Sequence, residues 1–555
     1  MKRRICCVGV LFAFLCGGQE VFRSYYERQN AEANKLYTQK EYGKAIAVLE
    51  DLRHRPELQQ SEDELLNVLY NLACDYSLAG SKDKAMETLR AAAATESLTS
   101  ASVERDSDFD NIRQDPAFQQ LVKELEAKER PYQLLWNSRV WKTPFSEDLP
   151  EKEKVAGLSR LWSEAKYNFA FFDRLAGLDW DALYISYLPK VQATKSTLDY
   201  YKTLAEFCAQ LRDGHTGVSY PREIESRFGW PAITTRLLEG RVFIDDVSDP
   251  ALKERGITHG LEILSVDGTT VWEYGQKNVA PTRGASTKQD LEAKTYENAL
   301  LGGLVEKPVA LTLQDAEGTI TQVSLRRLNP AESDQLPHGR WKRFEYKMLP
   351  GNLAYVALRS FGNDALIGEF DAAFANICKS DGLILDVREN AGGSSNVGWA
   401  ILGYLTDKAF LSTQWRTSDY RPAYRAWGRT GKWYSEGPQD LWPRGPEPYR
   451  KPVVVLTSAH TYSAAEDFAV VFDAMKRGKI VGEPSGGSTG QPLVIALPGG
   501  GSARICTKHD RYPDGKEFVG VGIQPDIVVR PTVADFRAGR DTVLDAAIRE
   551  LERSH

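Results

Sequence analysis

The run Pro452-Val453-Val454-Val455-Leu456-Thr457, followed within a few residues by Thr461-Tyr462-Ser463-Ala464-Ala465-Glu466, decides how this chain is read. The first stretch is apolar and β-branched, and it predicts a buried strand. The residues from Asp467 to Met475 are helix-like. A strand therefore runs into a tight turn, with Ser463 at the head of a helix. The positive end of that helix faces the hydroxyl. A serine nucleophile requires this placement, because the carbonyl it attacks gains negative charge on oxygen. The same residues spell S-x-x-E, the box that caps many ordinary helices. Taken alone, the stretch leaves both roles open.

The chain has 555 residues, of which 42% are hydrophobic and 26% charged, so it is globular and has room for three or four domains. Its net charge is -6 and no basic block interrupts it, which argues against nucleic acid as a partner. Lys2, Arg3 and Arg4 precede an apolar run from Ile5 to Leu15 that is too short to span a bilayer. With Cys16, Gly17 and Gly18 they predict a removed export signal over residues 1–18. Cys16 also raises a lipoprotein reading, the one route to a membrane, although Phe14 and Leu15 are bulky for that processing site. Cys74, Cys208, Cys378 and Cys506 are scattered without metal-type spacing and read as buried free thiols.

Along the chain, residues 23–128 read as helix-turn-helix pairs of tetratricopeptide type. Examples are Ala31 to Tyr37 with Tyr42 to Ile46, and Leu69 to Tyr76 with Lys84 to Leu89. They predict either a docking groove for a protein partner or a packing spacer. Residues 132–220 are helical and aromatic-rich. Residues 229–330 turn to short strands, with a helix expected from Tyr296 to Leu301, in the pattern of a PDZ-like module that takes an extended chain along a sheet edge. Residues 345–545 alternate strand and helix, as an α/β layer fold does.

Two further pieces join Ser463. In Leu383-Ile384-Leu385-Asp386-Val387-Arg388-Glu389-Asn390-Ala391-Gly392-Gly393 a buried strand enters a glycine turn whose amides can approach a ligand. With the N–H of Ala464, such donors suit an oxyanion hole, although an ordinary strand-to-helix turn reads the same way. His215, in Asp213-Gly214-His215-Thr216, is a candidate base, and His509, beside Asp510, is its rival.

The ordered set Asp-Gly-His-Thr, Asp-Val-Arg-x-Asn-x-Gly-Gly, Thr-Tyr-Ser-Ala-Ala-Glu, Gly482-Glu483-Pro484-Ser485-Gly486-Gly487 and Gly522-Ile523-Gln524-Pro525-Asp526 resembles the C-terminal processing (tail-specific) and tricorn-type serine peptidases over residues 132 to 545. The resemblance implies a multidomain α+β protein: a crotonase-like α/β core, a PDZ-like domain and a helical N-terminal cap, here preceded by the repeats. It implies Ser463 as nucleophile, with an oxyanion hole from Gly392, Gly393 and Ala464. A protein or peptide substrate is expected, with no cofactor; the leader predicts an exported, periplasmic setting, and the lack of a clustered Cys/His set predicts no metal. The processing branch carries a lysine base in the loop that is Gly482 to Gly490 here, and Ser488 stands in its place. The tricorn branch uses a histidine matching His215, preceded by a serine that is Gly214 here. Its acidic partner is matched only out of register by Glu517. The alternative is a catalytically inactive homologue that binds a ligand or protein.

Overall fold

The computed structural model describes residues 25–553, except 27, 96, 338–341 and 446. The expected leader 1–18, with Cys16, lies outside the described residues. The chain divides into two compact units, at residues 139 and 140.

The first unit is helical. A helix over 28–38 is followed by Tyr42–Arg53, Glu62–Leu78, Lys82–Ala93, Ser100–Arg105 and Pro116–Trp136. The last of these runs on past the expected boundary at 128. Ser61, Thr99 and Asp115 each cap a helix by accepting a backbone N–H. Leu49, Leu72, Leu89, Phe109, Phe118 and Leu121 form the core of this unit.

The second unit is built on a six-stranded sheet in the order Phe344–Leu349, Leu353–Leu358, Gly382–Asp386, Val453–Thr457, Lys479–Gly482, Ile527–Val528. The first pair is antiparallel and the others are parallel. Alternate strand residues serve opposite faces. Val356, Leu385 and Val455 pack in the large core with Phe468 and Val471 of the helix Ala464–Ala474. Tyr355, Ile384 and Val454 pack beneath Val543, Ala547 and Leu551 of the helix Thr542–Arg553. Burial on both faces is why these strands read as unbroken apolar runs.

A second, antiparallel sheet holds Ile233–Leu238, Arg241–Val247, Glu262–Val266, Val309–Gln314 and Ile320–Leu325. The helix expected at Tyr296 to Leu301 lies earlier, at Lys288–Glu292 continuing through Ala293–Asn298. Thr287 sets its start by accepting the Asp290 N–H. The helices Glu151–Asn168, Trp180–Ala193 and Thr197–Ala209 lead into the short strand Gly217–Ser219, which pairs with Ser502–Cys506. Cys74, Cys208 and Cys506 are buried free thiols, whereas Cys378, just past a helix end, is exposed. Among the described residues no helix is long and apolar enough to cross a membrane.

Candidate active site

The turn after Val453–Thr457 is stitched to the end of the neighbouring strand. Thr461 Oγ1 donates to Val387 O at 2.9 Å, Ser458 Oγ to Arg388 O at 2.6 Å, and the Tyr462 N–H to Asn390 O at 3.0 Å. These bonds force Ser463 into φ 55°, ψ -128°, which a non-glycine residue adopts only when its surroundings over-determine it. Ser463 makes no side-chain cap bond, and its N–H donates to Ser488 O at 3.0 Å. The capping-box role is therefore absent, and the hydroxyl is free for other work.

That hydroxyl meets His215. Nε2 of His215 is 3.0 Å from Ser463 Oγ, across 248 residues of sequence. The histidine precedes the strand Gly217–Ser219, and Thr216 Oγ1 accepts the Cys506 N–H at 3.0 Å while donating to Asp213 Oδ2 at 2.7 Å. The Tyr462 ring lies parallel beneath the imidazole, with centroids 5.1 Å apart. Burial, with Arg504, Lys294 and Lys508 nearby, pulls His215 down to about 3. The ring is therefore neutral at any ordinary pH, which a proton acceptor requires.

His509, the rival base, is not at the site. Its Nε2 is 2.5 Å from Glu517 Oε2, and its ring packs on Phe171. The expectation that Glu517 orients His215 fails for the same reason. The Arg511–Glu517 bridge folds the hairpin so that this carboxylate lands on His509 and Arg511. Nδ1 of His215 instead faces Ser488 Oγ at 2.9 Å.

The glycine turn supplies one amide fewer than expected. Gly392 N–H donates to Asn390 Oδ1 at 2.8 Å, so it is committed within the turn. Asn390 is fully buried and also donates to Leu358 O at 2.8 Å. Gly393 is exposed at φ 138°, where a Cβ would stand 2.3 Å from the Phe361 carbonyl carbon. Only glycine fits there. A Cβ on Gly392 would come within 3.0 Å of Ala464 N, so the turn lies against the first amide of the helix. Gly393 and Ala464 thus remain as the pair of N–H groups suited to a developing oxyanion.

The surroundings hold two groups that motif reading did not single out, Asp290 and Lys294, and one, Glu466, that it read as part of a helix cap. Glu466 is buried and accepts the N–H groups of Gly487 and Ser488, each at 2.7 Å; burial pushes its carboxyl up to about 8 against these donors. Lys294 Nζ lies 3.0 Å from Tyr462 Oη and pairs with Asp290, a buried carboxyl that burial raises. A Cβ on Gly214 would sit 1.6 Å from that same Tyr462 oxygen. The tyrosine hydroxyl thus fills the space that a serine before the histidine would take. No motif spacing signals these contacts, since Asp290 and Lys294 come from another part of the chain.

Residues 352–529 match the family described as Peptidase family S41. The chain is 25% identical to the chloroplastic C-terminal processing peptidase of Tetradesmus obliquus over 283 residues, 51% of this chain and 55% of that protein. It is 24% identical to the tricorn protease homolog of Saccharolobus solfataricus over 415 residues, 72% of this chain and 35% of that protein. It thus spans about half the length, or less, of these curated relatives. In fold it is similar to mature CPAF, at 17% identity and a TM-score of 0.55, covering 70% of this chain and 94% of that one. The segment that matches peptidase family S41 carries both the Asn390–Gly393 turn and Ser463.

Proposed function

We propose that this protein is a serine endopeptidase in which Ser463 Oγ attacks a peptide carbonyl and His215 Nε2 takes the hydroxyl proton, later giving it to the leaving amine. The amides of Gly393 and Ala464 hold the tetrahedral oxyanion, and water then releases the acyl group. One observation carries the reading: a serine held at φ 55° at a helix head, with a neutral imidazole nitrogen 3.0 Å from its oxygen. The antiparallel sheet from Ile233 to Leu325 is proposed as a PDZ-like module that holds an extended segment of a polypeptide substrate. The sheet behind Ser463 is proposed as a crotonase-like core. The helices of the first unit are proposed as tetratricopeptide-like repeats that recruit a protein partner, and the protein as exported to the periplasm. Ser463→Ala and His215→Ala, assayed on unfolded protein and peptide pools, test the chemistry. Both are expected to abolish hydrolysis, and undiminished cleavage by either variant refutes its assigned role.

One observation favours a second reading, a non-catalytic binding module on the same scaffold. Among the described residues no carboxylate hydrogen-bonds the His215 ring, whose Nδ1 rests on a neutral hydroxyl. A fluorophosphonate separates the two readings. Labelling at Ser463 in the folded protein supports the peptidase, and a silent serine supports the binding module.

A further inference from the structure

A histidine that takes a proton at one ring nitrogen must already carry one on the other, and serine–histidine sites fix that choice with a hydrogen-bond acceptor at the far nitrogen. The carboxyls around His215 are all engaged elsewhere. Asp213 Oδ2 accepts the backbone N–H of His215, not a ring proton, and Asp290 serves Ser286, Lys294 and Tyr462. Glu517 is bound to His509. The acceptor in reach of Nδ1 is Ser488 Oγ, at 2.9 Å and fully buried.

Ser488 is held as firmly as the nucleophile itself. Its N–H donates to Glu466 Oε2 at 2.7 Å, and its carbonyl accepts the Ser463 N–H at 3.0 Å. The Gly487 N–H and the Ser485 hydroxyl close on the other oxygen of the same carboxyl. Glu466 stands in the first turn of the helix that Ser463 heads. One helix end thus fixes both hydroxyls that flank the imidazole, one directly and one through a carboxyl that gathers the 485–488 loop.

We propose that Ser488 is the positioning residue of this site: its hydroxyl oxygen accepts the Nδ1–H of His215, fixing the tautomer that leaves Nε2 open to the Ser463 proton, and Glu466 holds Ser488 in register. The assignment rests on the reading of Ser463 and His215 as nucleophile and base, and it gives that pair the third member that the acid of the tricorn-type pattern does not supply. A hydroxyl orients the ring as a carboxylate does but brings no countercharge to the imidazolium that forms. The cations around the ring and its low affinity for a proton fit that arrangement.

The test uses the full chain with ¹⁵N-labelled histidine, as wild type, Ser488→Ala, Ser488→Thr and Glu466→Gln, with His215→Gln to assign the resonance. In wild type the expected ring carries its proton on Nδ1. In S488A the proton is expected to move largely to Nε2. On a peptide substrate kcat is expected to fall about tenfold, the worth of one neutral hydrogen bond, with KM unchanged. S488T, which keeps the hydroxyl, is expected to restore both, and E466Q to shift the ring in the same direction as S488A. A folded S488A with an unmoved tautomer and kcat within about twofold of wild type overturns the assignment, as does wild type with its proton on Nε2. Wild-type protein that shows the Nδ1–H ring but neither cleaves peptides nor labels at Ser463 sinks the peptidase reading alone, because the tautomer is read in the resting protein.

Discussion

Replacing Gly214 by alanine tests the packing under the imidazole most directly. The new Cβ would stand 1.6 Å from Tyr462 Oη and 2.8 Å from both Asp290 Oδ2 and Lys294 Nζ. Ordinary contact begins at 3.4 Å, so the tyrosine oxygen would have to retreat by about 1.8 Å. The ring has little room to do so. A Cβ on Gly486 would already be 2.4 Å from the Tyr462 ring, and the Tyr462 N–H is tied to Asn390 O. Overpacking of this kind costs about 1–3 kcal/mol. Pulling the hydroxyl off the Lys294–Asp290 pair forfeits roughly another 1.5–3 kcal/mol, the worth of a hydrogen bond to a charged group. Chemical denaturation followed by tryptophan fluorescence is therefore expected to show a loss of about 2.5–6 kcal/mol for Gly214→Ala, together with slower fluorophosphonate labelling of Ser463 as the stacked His215 ring tilts. Tyr462→Phe removes the atom in collision. The double variant is expected to lose at least about 1 kcal/mol less than the two single losses added together, because neighbours in contact do not add. Gly214→Ala that unfolds within about 0.5 kcal/mol of wild type and labels at the wild-type rate would refute the placement of the Tyr462 hydroxyl in the serine's space.

Because His215 is held near 3 rather than its ordinary 6.5, hydrolysis is expected to stay near its pH 7 rate down to pH 5. A base of ordinary affinity would be about 97% protonated there, so a fall of about twenty-fivefold in kcat/KM between pH 7 and 5 would contradict the buried ring. The same depression makes folding depend on pH: below 6.5 the unfolded chain takes up a proton at this histidine that the folded chain refuses. Relative to His215→Gln, wild type is expected to lose up to about 1.4 kcal/mol per pH unit as pH falls from 6.5 toward 3, measured by denaturation at several pH values. Asn390→Ala removes the anchor of both the Gly392 N–H and the Leu358 carbonyl. It is expected to cost about 2–4 kcal/mol of stability and about 10²-fold in kcat through a displaced Gly393 amide, with equal labelling of Ser463 in both proteins as the contrary result. Arg388→Met leaves Asp386 without its 2.6 Å partner and Asp541 without its 2.8 Å contact. A loss of about 3–5 kcal/mol is expected from breaking this largely buried pair, and unchanged denaturation would count against it.

What the sequence discloses, and what it withholds, follows from the range of each interaction. The strands at Gly382–Asp386 and Val453–Thr457 are legible because burial on both faces selects unbroken β-branched runs, a local signature. The helix near Tyr296 starts earlier than its apolar residues at 296–301 suggest, because its cap, Thr287, lies nine positions upstream of Tyr296. Partner choice is a tertiary matter and leaves no such trace. Glu517 and His509 are eight residues apart and meet, while His215 meets a serine 273 residues away. Glu466 shows the limit most clearly. Its spacing from Ser463 is that of a capping box, yet the backbone twist at φ 55° sends the Ser463 N–H to Ser488 O and leaves the glutamate to gather the 485–488 loop. The same two residue types at the same spacing thus build either a plain helix start or a strained elbow. The Ser458, Thr461 and Tyr462 bonds to the next strand decide between them by setting a dihedral that no propensity would choose.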